Sequence, residues 1–375
     1  MSRVPGMRRS SSVAVGLGIC ASLTACGPAA FDDAQGQVAD LPVVEVVYET
    51  ARDTADNVDS PAVWHGRAGE HWLLVTAKEG DVIQVLDARN GESLHRVGGS
   101  GTEPGQLERP NGIAVVDDLM VVVERDNARV QVFELPSFSP LGTFGEAELR
   151  LPYGVTIRRD GPGNYTAWIT DAWGIEEDVV PPDSLLGDRV REYAFAIDDG
   201  NLVSRHVRAF GATSGPGVLH VVESLAVDVA GQRLLIAEEE EGDSQIMVYG
   251  IDGEFTGQII PAEYFPYQAE GIVLYECGMT DGYWIATDQG EEVNTFHVFD
   301  RGSLSHRGSF RLAGVLNTDG ITLTQQGFEG FPQGAFFAVH DDGNLAAVRW
   351  GDIAEAVGLR EDCTLDVAHA KVFSR

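Results

Sequence analysis

A short pattern recurs six times along this chain of 375 residues: a polar position, a small residue or proline, then apolar residues in alternation. The copies are Ser60-Pro61-Ala62-Val63, Asn111-Gly112-Ile113-Ala114-Val115, Tyr153-Gly154-Val155-Thr156-Ile157, Glu223-Ser224-Leu225-Ala226-Val227, Glu270-Gly271-Ile272-Val273-Leu274 and Asp319-Gly320-Ile321-Thr322-Leu323. They are separated by about 42 to 70 residues, the period of a four-stranded propeller blade with insertions in its loops. The expected fold is all-β, a six-bladed β-propeller, in which each copy opens the strand lining the central channel.

A second apolar run follows each opening and stops at a polar loop. The stops are Lys78-Glu79-Gly80, Glu124-Arg125-Asp126, Asp171-Ala172-Trp173, Glu238-Glu239-Glu240-Glu241, Asp288-Gln289-Gly290 and His340-Asp341-Asp342-Gly343. Because the first two strands of a blade are antiparallel, the start of one and the end of the other share an end of the channel. Glu223, Glu270 and Asp319 are therefore expected around one mouth with Tyr153 and Asn111, and Lys78, Arg125 and the run from Glu238 just outside them. The small residue at each opening also has a purely conformational reading, a tight turn into the strand.

Third and fourth strands are expected among runs such as 129–135, 190–197, 245–251, 294–300 and 344–350, and a short helix at 352–357. Val43 to Glu49 reads as a strand with no partner nearby in sequence, so it is expected to complete the last blade and close the ring. A monomer is expected. The propeller domain spans residues 43–375.

The first 25 residues read as an address. Arg3, Arg8 and Arg9 precede a short apolar stretch, and Leu23-Thr24-Ala25-Cys26 resembles the lipobox of bacterial lipoproteins, which implies a lipid-modified Cys26 and a tether over 26–42. The apolar stretch is short for a membrane span. With no aspartate after Cys26, an outer-membrane anchor facing the periplasm or the outside is expected, the lipid being the only membrane contact. Two cysteines remain in the folded body, Cys277 and Cys363, either bridged, as an oxidising compartment allows, or unpaired. No Cys/His spacing suggests zinc.

The chain carries 58 acids against 26 Lys and Arg, a formal charge of −32. Such a surface repels nucleic acid and anionic lipid headgroups, so neither is an expected partner. Most of these acids solvate the surface, as the run from Glu238 would if it stood alone. Glu223, Glu270 and Asp319 need another account, since carboxylates brought together repel unless protonated or met by a cation. Hard oxygens from several strands suit calcium.

The chain from about Val46 onward resembles the calcium-dependent β-propeller phytases. The resemblance rests on Asp59-Ser60-Pro61-Ala62-Val63-Trp64, Val207-Arg208-Ala209-Phe210, Ile236-Ala237-Glu238-Glu239, Ala269-Glu270-Gly271, Asp288-Gln289-Gly290, Thr318-Asp319-Gly320, and Asn344 followed by Val348-Arg349-Trp350-Gly351-Asp352-Ile353-Ala354. It implies a calcium-dependent phosphomonoesterase acting on myo-inositol hexakisphosphate or lower inositol phosphates. Calcium would be held by Tyr153, Glu223, Glu238 or Glu239, Glu270 and Asp319, with Asp59 adjoining. Lys78 and Arg125 would contact the scissile phosphate, and calcium-bound water would attack phosphorus directly. Tyr153 and Glu223 thus stand among the catalytic residues as well as the ligands. The absence of a GxSxG element fits a route without a covalent intermediate.

Two departures qualify the resemblance. Ala172-Trp173 and an insertion stand where the family has a Lys-Glu pair, so Arg189 or Arg191 would have to supply the missing cation, while Trp173 offers a flat face to a ring-bearing substrate. Ser60 replaces a family aspartate. The segment from Gly98-Gly99 to Val115 looks more like an NHL repeat, which names a blade and no chemistry. Two other readings share the fold: a calcium lactonase or esterase similar to gluconolactonases, and a non-catalytic propeller that binds a partner at the envelope.

Overall fold

The computed structural model describes residues 40–176, 179–240 and 242–363. The expected signal segment, the lipid-bearing Cys26 and most of the tether lie outside those residues. No described helix is long and apolar enough to cross a membrane.

Six antiparallel sheets form the body. In each, the second strand is buried at nearly every position, with an apolar centre: Leu73-Leu74-Val75, Met120 to Val123 and Leu234 to Ala237 are fully buried. A strand apolar on both sides needs cover on both sides. The sheets meet that need by stacking face to face around an axis, with one apolar core between each neighbouring pair. Val121 and Val123 of blade two meet Ala167 and Ile169 of blade three. The ring closes in the same way, since Val58, Leu73 and Val75 of blade one pack with Phe337 and Val339 of blade six.

The N-terminal segment divides its pairing where a single strand was expected. Val43–Val44 (β1) runs parallel to His306–Leu312, the outer strand of blade five. Tyr48–Glu49 (β2) pairs antiparallel with Asn344–Arg349 and is the outermost strand of blade six. Burial of Val44 in the core between blades five and six holds the first piece to blade five.

The C-terminal helix, Trp350–Val357 (α1), begins two residues before the expected start. Trp350 is fully buried and stacks on Tyr275 at 3.9 Å between centroids, so packing sets the helix start. Gly358 ends it in the left-handed conformation at φ 70°. Beyond it, Cys363 is bonded to Cys277, the last residue of the inner strand of blade five, with Cα atoms 4.8 Å apart. That separation is within the ordinary disulfide range.

A carboxylate-lined channel mouth as the candidate functional site

The six sequence openings all line one central cavity of about 360 Å³, bordered by Pro61, Gly112, Gly154, Ser224, Gly271 and Gly320 and the apolar residues after them. In blades one to five the inner strand is bulged at one equivalent place: the pairing slips between Val58 and Pro61, Pro110 and Ile113, Pro152 and Val155, Val222 and Leu225, and Ala269 and Ile272. The bulged residues are the polar residue and its small neighbour. A bulge re-aims a side chain out of the regular alternation, and here it serves Asp59, Asn111, Tyr153, Glu223 and Glu270.

The small residue has a reason other than the turn expected from sequence. None of the glycines at the openings has a positive φ. A Cβ on Gly154 would lie 2.5 Å from the carbonyl oxygen of Glu223, and one on Gly320 would lie 2.3 Å from that of Asp59. Glycine is required because the inner strands of adjacent blades converge there. Thr170 fastens one such junction, accepting from Gly154 N–H at 2.7 Å and donating to the Glu223 carbonyl at 2.7 Å.

The end of each second strand supplies an outer row, and backbone register sorts its members. Glu124, Asp171, Glu238 and Asp288 pair with Pro110, Pro152, Val222 and Ala269. Their carboxylates turn to the entering loop: Asp171 accepts from Arg150 and Leu151 N–H, Glu238 from His220 and Val221 N–H, and Asp288 from Tyr267 N–H. The next residue turns the other way. Lys78, Arg125, Ala172 and Glu239 each donate a backbone bond to the residue before the inner strand, at 2.8, 3.1, 2.9 and 3.0 Å. This decides between the two glutamates left open in the sequence. Glu239 joins the cluster and Glu238 holds the loop.

Carboxylate oxygens of Glu223, Glu239 and Glu270 lie within 4.8 Å of one another. Burial comes first among the causes that push the Glu223, Glu239 and Glu270 carboxyls well above the usual carboxylate range, and repulsion within the group adds to it. Asp319 is raised by burial as well, against the pull of Lys78. The Tyr153 hydroxyl is also pushed up, by burial and then by Glu223, Asp59 and Glu270. Several buried polar atoms here have no partner: Glu239 Oε1, Asp319 Oδ2, and both amide atoms of Asn111. An orphaned buried acceptor is costly. Hard oxygens that repel one another and lack partners fit calcium, which takes 6 to 8 such ligands in irregular geometry.

Lys78 is the cation of this site. Its ammonium is 3.0 Å from Asp59 Oδ1, and both side chains are buried. Burial alone would depress it, but Asp59, Asp319 and Glu223 together push its pKa up, so it stays charged. Asp59 is thereby engaged by lysine, and Ser60 donates to its other oxygen at 3.0 Å. Arg125 is partly exposed and pairs with Asp126 at 2.9 Å instead of with the carboxylates.

Neither arginine proposed to stand in for the missing lysine does so. Arg189 is buried and donates to the carbonyls of Leu219, Asp171, Trp173 and His220. Arg191 is bound to Asp171 and Asp188 at 2.8 and 3.0 Å. Trp173 is no open platform, since the Arg150 guanidinium lies 3.4 Å over its ring. Gln289 was missed as a site residue. It occupies the outer-row position of blade five and donates to Asp319 Oδ1 at 2.8 Å. The signal was its place one residue after an acid at the end of the second strand, as Glu239 follows Glu238 in blade four.

Fold and site together describe a six-bladed propeller whose channel mouth gathers carboxylates with one buried lysine. The Phytase family model matches residues 193–375, and with the six blades this is consistent with the β-propeller phytase family. The matched half holds Glu223, Glu239, Glu270 and Asp319, while Asp59, Lys78, Arg125 and Tyr153 precede it. No curated protein matches the chain. Among solved structures, a gluconolactonase from Xanthomonas campestris is 16% identical with a TM-score of 0.51, over 81% of this chain and 88% of that one. The hydrazine synthase of Kuenenia stuttgartiensis is 12% identical with a TM-score of 0.46, over 82% and 84%. At 16% identity the likeness to the gluconolactonase is one of fold alone.

Proposed function

We propose that this chain is a calcium-dependent phosphomonoesterase of phytase type, acting on inositol phosphates. The observation that carries the reading is the convergence of Glu223, Glu239 and Glu270 within 4.8 Å beside a buried, charged Lys78. Glu223, Glu239, Glu270, Asp319 and Tyr153 would hold the metal, with Asn111 offering an unpartnered amide oxygen at the equivalent place in blade two. Bound calcium supplies positive charge for phosphate oxygens and the attacking water. Lys78, anchored by Asp59, presents its ammonium to a non-bridging oxygen and holds the phosphoryl group against the carboxylate side of the mouth. Arg125 can join only by leaving Asp126, an exposed pairing of little strength.

A lactonase would use the same carboxylates but has no need of a charged lysine among them, and that favours the phosphoester. Phosphate release from phytate and from lower inositol phosphates, with calcium and with chelator, tests the reading. Release that persists in chelator, or hydrolysis of lactones alone, would overturn it. The envelope location and the lipid on Cys26 belong to the same proposal. Incorporation of labelled fatty acid that is lost in Cys26→Ala tests them.

A further inference from the structure

The mouth is divided in its charge. On the side of blades one to three its loops bring Lys78, Arg109, Arg125, Arg150 and Arg189. In blades four to six the segments that enter the inner strands and those at and after the ends of the second strands, residues 211–221, 239–244, 261–267, 289–294, 313–320 and 341–343, contain no lysine or arginine. Arg52 reaches over toward blade six, where it is held by Asp341 and Asn344.

On that side a pocket of about 430 Å³ opens between blades five and six. Its walls are Tyr267 and Gln268 at the start of the inner strand of blade five, Gln289 to Glu292 at and just after the end of the second strand, and Asn317 before blade six. Gln289 bonds to Asp319, so the pocket adjoins the carboxylate cluster directly. Tyr267 lines the space and is 38% exposed. The remaining lining is three side-chain amides and two exposed carboxylates.

We infer that this pocket receives the alcohol part of the substrate, and that it selects a polyhydroxylated body carrying no further charge: a sugar or cyclitol phosphomonoester with one or very few phosphates. The inference rests on the phosphomonoesterase reading for its chemistry. With the scissile phosphate beside Lys78, the rest of the molecule extends over Tyr267, Gln268, Gln289, Glu291 and Glu292. Amides and carboxylates satisfy hydroxyls in both directions, and a tyrosine ring covers the apolar face of a cyclic polyol. A second phosphate placed there meets Glu291 and Glu292, and the loops around them hold no lysine or arginine to offset that charge.

Two measurements on the full calcium-loaded protein test this. In saturation-transfer NMR, myo-inositol is expected to bind and to lose its signal in Tyr267→Ala, while myo-inositol hexasulfate, a stable polyanion of the same ring, binds more weakly. Absence of a myo-inositol signal, a signal unchanged in Tyr267→Ala, or tighter binding of the hexasulfate would overturn the assignment. In turnover, kcat/KM for myo-inositol monophosphate is expected to exceed that for phytate by about tenfold or more, and the Glu291→Lys/Glu292→Lys double variant to lower the KM for phytate by about tenfold. Both glutamates are exposed, so the variant folds. Phytate preferred by the wild type, or unaffected by the lysines, would overturn the inference. If no phosphomonoester is hydrolysed at all, the phosphomonoesterase reading fails, and the NMR result judges the pocket by itself.

Discussion

Single residues at this mouth divide into those that bind outward and those that hold the frame, and sequence proximity does not tell them apart. Glu238 and Glu239 are adjacent, yet one caps its own loop and the other meets Glu223 and Glu270. Glu239→Gln is therefore expected to weaken calcium binding while the apo protein melts at or above its former temperature, because a repelling charge is gone. Glu238→Gln is expected to keep calcium binding and to lose about 1 to 3 kcal/mol, since loop N–H groups lose their best acceptor. Calorimetric titration with calcium, paired with thermal melts, separates the two; calcium binding lost equally in both would refute the division. Lys78→Met strands a buried Asp59 carboxylate. Removing one partner of a buried pair costs about 3 to 5 kcal/mol, so a destabilised variant with lost phosphate affinity is expected from denaturant melts and inhibition by phosphate.

At the scale of elements, the repeated bulge in blades one to five is what places a side chain of the inner strand at the mouth, and the register of the second strand decides which residue faces it. Ala172 holds the position that Lys78, Arg125 and Glu239 hold in their blades, by the same backbone bond. A lysine there would project from blade three toward the mouth, since the native arginines nearby are bound to backbone and to Asp171 and Asp188. Ala172→Lys is expected to raise phosphate affinity, seen as a lower inhibition constant for inorganic phosphate by about tenfold. An unchanged constant would place position 172 away from the phosphate.

For the whole molecule, stability and function compete at the channel mouth. The Glu223, Glu239 and Glu270 carboxyls are raised by burial and mutual repulsion, and burial raises Glu238 and Asp288 to about 7 despite their backbone N–H partners. A carboxyl with a folded pKa above its unfolded value binds more protons in the folded state. Its contribution is whole below the unfolded value, near pH 4, and is lost as pH rises through the folded value. The calcium-free protein should thus melt higher at pH 5 than at pH 8, with the loss beginning above pH 4 and continuing through pH 7. Calcium at about 100 times its dissociation constant should return about 2.7 kcal/mol at pH 8 by mass action. Melts across this range, with calcium and with chelator, check both; equal melting temperatures with and without calcium at pH 8 would contradict the assignment.

The sequence by itself determined the repeat, and with it the blade number, the inner strands and most of the carboxylates that gather at the mouth. Apolar alternation and a recurring polar-small pair are local signals, and a ring of equivalent blades turns each local signal into a known radial position. It also carried the Phytase-like second half, from Glu223 to Asp319, because that half keeps its motifs contiguous. Tertiary structure alone decided which acids gather in the cluster. Glu238 and Glu239 differ only in backbone register, Arg189 and Arg191 only in what the insertion loop offers them, and the glycines of the openings answer to carbonyls in the next blade. Each of these depends on atoms far apart in the chain, and the spacing of residues in one strand holds no record of what the neighbouring blade presents to it.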